Sequence, residues 1–265
     1  MSDTELDLMV VRGPRTADVH ALARFAPVAV LSGWVLLSLP IVLDQPFEPF
    51  VLATLLLGLV VPAVLLTRRD PTTTVRASLL RDCWRLPRPV WLLVPSLLLL
   101  PVATWCAAAT VGAAMPASGS LISGVVVNVI SSLLIVNLWE EMVWTGFVQR
   151  RAMRSWGYLR GSVGTAVLFA AIHAPLAVDG AHDAADVAVN AGVLLGSALG
   201  LRLLVGALDL RGGGSLLAVG VLHASFNASA LVVDPSQDWI RYLVTGLAGV
   251  VAGSFVVATT RKASS

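Results

Sequence analysis

Glu140 and Glu141 stand side by side inside an apolar stretch that runs from about Leu121 to Val148. A carboxylate near the centre of a bilayer costs roughly 2.5–3.5 kcal/mol on insertion scales. Two together imply a partner, a water cavity or a reaction. Other apolar stretches carry His173, within Phe169-Ala-Ala-Ile-His173, and His223 with Asn227, within His223-Ala-Ser-Phe-Asn227. The i,i+4 spacing puts His223 and Asn227 on one helix face. Glu140 lies ten residues before Arg150, His173 thirteen after Arg160 and His223 ten after Gly213. At 1.5 Å per residue these offsets are roughly 15–20 Å, so three helices place their costly polar groups in one layer. Independent accidents would scatter in depth, and a single shared site is the expectation.

Two chemistries suit carboxylates, imidazoles and an amide in a sequestered pocket. One is hydrolysis with a carboxylate as general base, since burial and a like-charged neighbour tune it toward taking a proton from water. The imidazoles and the amide would then donate to the developing oxyanion. The other is a metal, because two neutral His and one Glu form the ligand set of a catalytic zinc site with an open position. Consecutive helical residues point about 100° apart, so the two glutamates must divide the work. One is base or ligand and the other orients it or pairs nearby. Asn128, Asn137 and Asn190 read as hydrogen-bonding neighbours between helices, and His20 and His182 as solvated surface.

The elements that position these residues are membrane helices. The chain of 265 residues is 57% hydrophobic and only 13% charged, against about 25% charged in soluble domains, and its mean hydropathy is +0.83. Eight apolar runs approach the ~20 residues needed to span hydrocarbon, at roughly 26–43, 50–66, 90–113, 121–148, 161–177, 187–208, 215–233 and 239–259. The fold expected is all-α: a polytopic membrane protein with about eight transmembrane helices in one bundle. Residues 1–24 read as a polar cytoplasmic tail and 25–260 as a single transmembrane domain. Arginines crowd alternate connections, whereas 44–49, 114–119, 178–186 and 234–238 contain no Lys or Arg. The positive-inside rule then puts both termini in the cytoplasm. Arg202 and Arg241 break the pattern and read as snorkelling near span ends. The basic segment 67–89 reads as an amphipathic helix on the inner leaflet, and Gly196–Gly200 and Gly249–Gly253 as sites of close helix approach. Cys83 and Cys106 lie too far apart in context for a disulfide framework.

In this order, Glu140-Glu141, Phe169 to His173 and His223 to Asn227 resemble the motifs of the CPBP intramembrane proteases, a family that includes CAAX-prenyl proteases and bacterial Abi-type proteins. The resemblance covers about 121–230. It implies that Glu140 activates water with help from His173, that His223 and Asn227 stabilise the oxyanion, and that Glu141 supports the site. Were a zinc ion to take part, Glu141, His173 and His223 would be its ligands. The partners implied are a membrane-associated peptide or protein substrate, of CAAX-like or leader-peptide type, and the lipid bilayer of a bacterial plasma membrane; nucleic acid is not among them. One position departs from the family pattern. Where the motif carries Arg, five residues after Glu140, this chain has Thr145, which leaves a buried carboxylate with less compensation. Two other readings follow from the same residues: a proton-coupled transporter, since intramembrane Glu and His also build relays, and a non-catalytic relative that has lost activity.

Overall fold

The computed structural model describes residues 16–68, 74–113 and 121–263. The first fifteen residues of the expected tail, and the expected outer segment 114–119, lie outside the described residues. Eight helical elements are present among the described residues: α1 (Thr16–Leu43), α2 (Glu48–Thr67), α3 (Thr74–Cys83), α4 (Leu93–Thr110), α5 (Leu121–Ile172), α6 (Ala184–Arg211), α7 (Leu216–Ala228) and α8 (Trp239–Ala263). Among those residues there is no strand, as expected of an all-α membrane protein.

Six elements are long and apolar enough to cross a bilayer, against eight expected runs. The difference has two causes. The expected runs 121–148 and 161–177 are the two arms of α5, whose 52 residues are continuous apart from a kink at Gly157, and 215–233 forms a shorter apolar helix, Leu216–Val232. α5 is not straight. Gly157 has φ 78° and ψ 169°, a region open essentially to glycine alone, and the chain folds back there. A Cβ on Gly161 would lie 2.5 Å from the Met153 backbone nitrogen, so the two arms meet backbone to backbone. The residues between the two predicted spans thus form a tight hairpin corner. Residues 16–24, expected in the polar tail, instead start α1, and Asp18 there pairs with Arg154 at 3.0 Å and Arg151 at 3.4 Å.

Lipid cannot satisfy polar groups and gives helices no hydrophobic reason to associate, so close packing carries the bundle. α6 and α8 form its tightest seam. A Cβ on Gly200 would come within 2.5 Å of Gly246 Cα and of the Thr245 carbonyl, and Gly249 faces Gly200 in turn. Of the two expected glycine pairs, one member each makes the contact; Gly196 has open space around it. The apolar side chains left outside, such as Leu31, Val35, Val94, Val127 and Val251, are exposed, as a lipid-facing surface requires.

α3 is the helix expected in the basic inner segment, and a buried ion network ties it down. Arg150 binds Asp82 at 2.8 Å and Asp209 at 2.7 and 2.9 Å, and donates to the Gly214 carbonyl at 2.8 Å. Gly213 and Gly214 have positive φ, which lets the α6–α7 turn offer that carbonyl. Burial, and then the neighbouring Asp82 charge, push the Cys83 thiol up to about 11. His20 and His182 are exposed, as expected.

Two outcomes follow. Gly200→Val should lower stability by about 1–3 kcal/mol through overpacking, while Gly196→Ala should leave the thermal midpoint in detergent unchanged. A thiol held neutral until pH nears its raised value is a poor nucleophile. Maleimide near neutral pH should therefore leave Cys83 unlabelled in the folded protein and label it after unfolding in SDS.

Candidate active site

Glu140 and Glu141 sit in one α-helical turn, Leu138–Glu141, between two π-helical segments, Leu133–Asn137 and Met142–Gln149. A π segment widens the helix and rotates the side chains beyond it, and such segments recur at functional sites. Here they flank the two carboxylates. α5 turns back at Gly157, and its second arm carries Phe169 and ends at Ile172, so His173 lies at the first residue beyond the helix. α7 brings His223 to the same place, with its N-terminus capped by Ser215, whose hydroxyl accepts from the Ala218 N–H at 3.2 Å.

Glu141 is fully buried and fully partnered. Arg202 of α6 grips it with both ends of its guanidinium, Nη2 to Oε1 at 2.6 Å and Nη1 to Oε2 at 3.0 Å. His223 Nδ1 lies 2.7 Å from Oε1, and the Thr145 hydroxyl donates to Oε2. Four donors on two oxygens fill the carboxylate's accepting capacity. Arg202 is itself 0% exposed. Its guanidinium lies 5.0 Å over the Phe169 ring, and its carbonyl accepts from Gln149 Nε2 at 2.7 Å. Gly206 makes that last contact possible, since a Cβ there would lie 2.6 Å from Gln149 Nε2.

Two sequence expectations are corrected here. Arg202 does not snorkel to a span end; it is buried as the counter-charge of Glu141. Arg241, by contrast, does stand at a span end, the third residue of α8, where it pairs with Asp238 at 2.5 Å under the Phe226 and Tyr242 rings. The Glu141 carboxylate therefore does not lack compensation for having Thr145 one turn away. A signal for Arg202 existed in the sequence: it lies nine residues before Arg211, about 14 Å along a helix, in the layer of Glu140.

Glu140 has a different environment. It is 9% exposed, its Oε2 is 3.9 Å from His223 Nδ1, and among the described residues its carboxylate has no hydrogen-bond donor. His173 joins the cluster through Phe169, the ring that Arg202 also covers. Its ring packs 4.5 Å from that of Phe169, which also stands 6.2 Å from His223. Both imidazoles have defined tautomers when neutral. His173 Nδ1 is 2.8 Å from the Phe169 carbonyl, which can only accept, so the proton is on Nδ1 and the Nε2 lone pair is available. The Glu141 carboxylate imposes the same state on His223.

Asn227 stands one turn beyond His223 and donates from Nδ2 to Asn137 Oδ1 at 3.2 Å. Asn137 is wholly buried and its own Nδ2 has no partner. Asn190 donates to the Ala177 carbonyl at 3.1 Å, linking α6 to the turn after His173. Both behave as the helix-linking amides expected, whereas Asn128 Oδ1 is buried without a partner.

Glu140, Glu141, His173 and His223 therefore converge, with Asn227 joined through Asn137. As a zinc ligand set the expected Glu141, His173 and His223 do not fit. Glu141 has no free lone pair, and a dication there would share its carboxylate with a guanidinium. Among the described residues no group of three or more His, Cys, Asp or Glu side chains is arranged to hold a metal ion.

Residues 122–229 match the family model described as Type II CAAX prenyl endopeptidase Rce1-like, in agreement with the resemblance carried by the three motifs. The matched stretch contains every residue of the cluster, Arg202 included. No curated protein matches the chain. Removing one partner of a buried ion pair costs about 3–5 kcal/mol, while replacing both by apolar groups of similar volume is nearly neutral. Arg202→Met should accordingly cause a large fall in the thermal midpoint in detergent, and Glu141→Leu combined with Arg202→Met should recover most of it.

Proposed function

We propose that the chain is an intramembrane endopeptidase that hydrolyses a peptide bond in a membrane-associated protein or peptide, with Glu140 activating the water. The observation that carries this reading is the unequal setting of the two glutamates. Glu141 is saturated by Arg202, Thr145 and His223, which hold it in place. Glu140 is 9% exposed and among the described residues accepts no hydrogen bond. The family match supports a CAAX-type peptidase in general terms.

In the proposed step a water beside Glu140 gives its proton to that carboxylate, and its oxygen attacks the scissile carbonyl. His173 accepts a hydrogen bond from the same water through Nε2 and aligns it. The carbonyl oxygen becomes an oxyanion. In this step the His223 ring and the second Nδ2 hydrogen of Asn227 stabilise that oxyanion. Collapse of the tetrahedral intermediate breaks the C–N bond, and the proton held by Glu140 passes to the leaving amine. Asn137 orients Asn227, and Arg202 and Thr145 orient Glu141. No step needs a metal, and the donor geometry of Glu141 favours that reading.

The substrate proposed is a peptide anchored at the inner leaflet, of CAAX-like or leader-peptide type. The site lies about 15–20 Å in from the arginine-rich ends of its helices, and those ends are cytoplasmic by the positive-inside rule. Both termini then lie in the cytoplasm of a bacterial plasma membrane.

Reconstituted wild-type protein should cleave such a peptide. Glu140→Gln and His173→Ala should each lower kcat by about 100-fold or more, the lower bound for loss of a general base, with unchanged thermal unfolding. EDTA dialysis should leave the wild-type rate within experimental scatter. Full activity in both variants would overturn the reading, and pH-driven flux through vesicles without proteolysis would replace it with a transporter.

A further inference from the structure

Resting on the active-site reading above, we propose that Arg202 and Thr145 act as one positioning unit, a divided clamp on Glu141 that sets the orientation and tautomer of His223. Three observations carry it. The two side chains meet on the same atom, since Thr145 Oγ1 and Arg202 Nη1 both donate to Glu141 Oε2. The other end of the guanidinium reaches Oε1, the oxygen that faces His223 Nδ1. And the residue that holds the cation is not on the helix of the glutamate; it comes from α6, 61 residues along the chain.

The size of residue 145 explains the arrangement. Position 145 follows Glu141 by one helical turn, on the same face, and is wholly buried. An arginine there would reach the carboxylate from its own helix and fill the space that the Arg202 guanidinium occupies. Threonine is short enough to admit the guanidinium and retains a hydroxyl for the half of Oε2 that the fork does not saturate. The α6 origin of the charge has a consequence for the site. Arg202 touches Phe169 of the arm that ends at His173, Glu141 of the first α5 arm and, through Glu141, His223 of α7. One side chain thereby fixes the relative placement of all three polar segments. Gln149, bonded to the Arg202 carbonyl, holds the backbone from which it projects.

If the clamp works this way, the positive charge can be moved back to α5. Reconstituted wild type, Arg202→Ala, Arg202→Lys, Thr145→Arg and the Thr145→Arg/Arg202→Ala pair would be compared in cleavage of a lipid-anchored peptide, in thermal unfolding, and in nitrogen NMR of labelled histidine. Arg202→Ala should lower kcat at least 100-fold with KM within threefold. The paired variant should recover at least tenfold of that loss. Arg202→Lys should fall between them, because an ammonium is a single point of charge and not a fork. The His223 ring should report a proton on Nδ1 in wild type and in the paired variant, and mixed tautomers in Arg202→Ala. Thermal midpoints should be low in each single variant and higher in the pair, since Thr145→Arg alone crowds two guanidinium groups against one carboxylate.

A paired variant no more active and no more stable than Arg202→Ala would overturn the clamp, as would an unchanged His223 tautomer in Arg202→Ala. The stability and NMR comparisons need no turnover. A wild-type protein that cleaves nothing would thus sink the peptidase reading and still leave the clamp to be judged on its own.

Discussion

A carboxylate cut off from water must bring its counter-charge with it, and much of this bundle is arranged around that demand at Glu141. The ion pair with Arg202 is buried on both sides, where it is weak as a source of net stability yet costly to break. Its main effect is geometric. A bidentate fork admits few orientations, so α6 and the first arm of α5 are held in register at the depth of the site. With His223 and Thr145 also bound, Glu141 becomes a fixed acceptor, and the difference in role between adjacent glutamates follows. Identical side chains one residue apart thus have distinct surroundings, four donors on Glu141 and none among the described residues on Glu140.

The surrounding packing serves that constraint. Gly206 makes room for Gln149, which anchors the backbone of Arg202, and the glycine seam between α6 and α8 lets α6 sit close against its neighbour. An aromatic series supports the other side. Phe25 of α1 packs on Trp144 and Phe147, Trp144 on Phe169, and Phe169 on His173. At the arginine-rich end, Arg150 binds Asp82 and Asp209 together, so the helix that carries both glutamates is tied to α3 and to the end of α6. The ionised groups around Glu141 and Arg150 thus occur in bonded sets, as a medium without water favours, and among the described residues Glu140 has no hydrogen-bond donor.

Much of the site could be read before any tertiary contact was known. Counting residues from charged ends placed Glu140, His173 and His223 in one layer, because helix rise is constant and a polar group in lipid is too costly to occur without cause. The same count applied to Arg202 puts it there too, although an arginine near a loop also satisfies the positive-inside pattern. The hairpin at Gly157 was legible only as a basic interruption between two apolar runs. The φ and ψ of Gly157, which break the helix and turn its second arm back on the first, are backbone properties that residue type permits but does not compel.

By itself, then, the sequence determined the class of fold, the shared layer of Glu140, His173 and His223 and the order of the three motifs, all of which depend on hydropathy and on distances along one helix. It could not say which partner each polar group would find. Thr145 suggested a missing cation, and only the packing of α6 against α5 showed that the charge arrives from another helix. The division between Glu140 and Glu141 was likewise decided in three dimensions, for the helix period shows that two neighbours face differently but not what each one faces. Pairing across helices depends on rotation and register about separate axes, quantities that no count along a single chain segment contains.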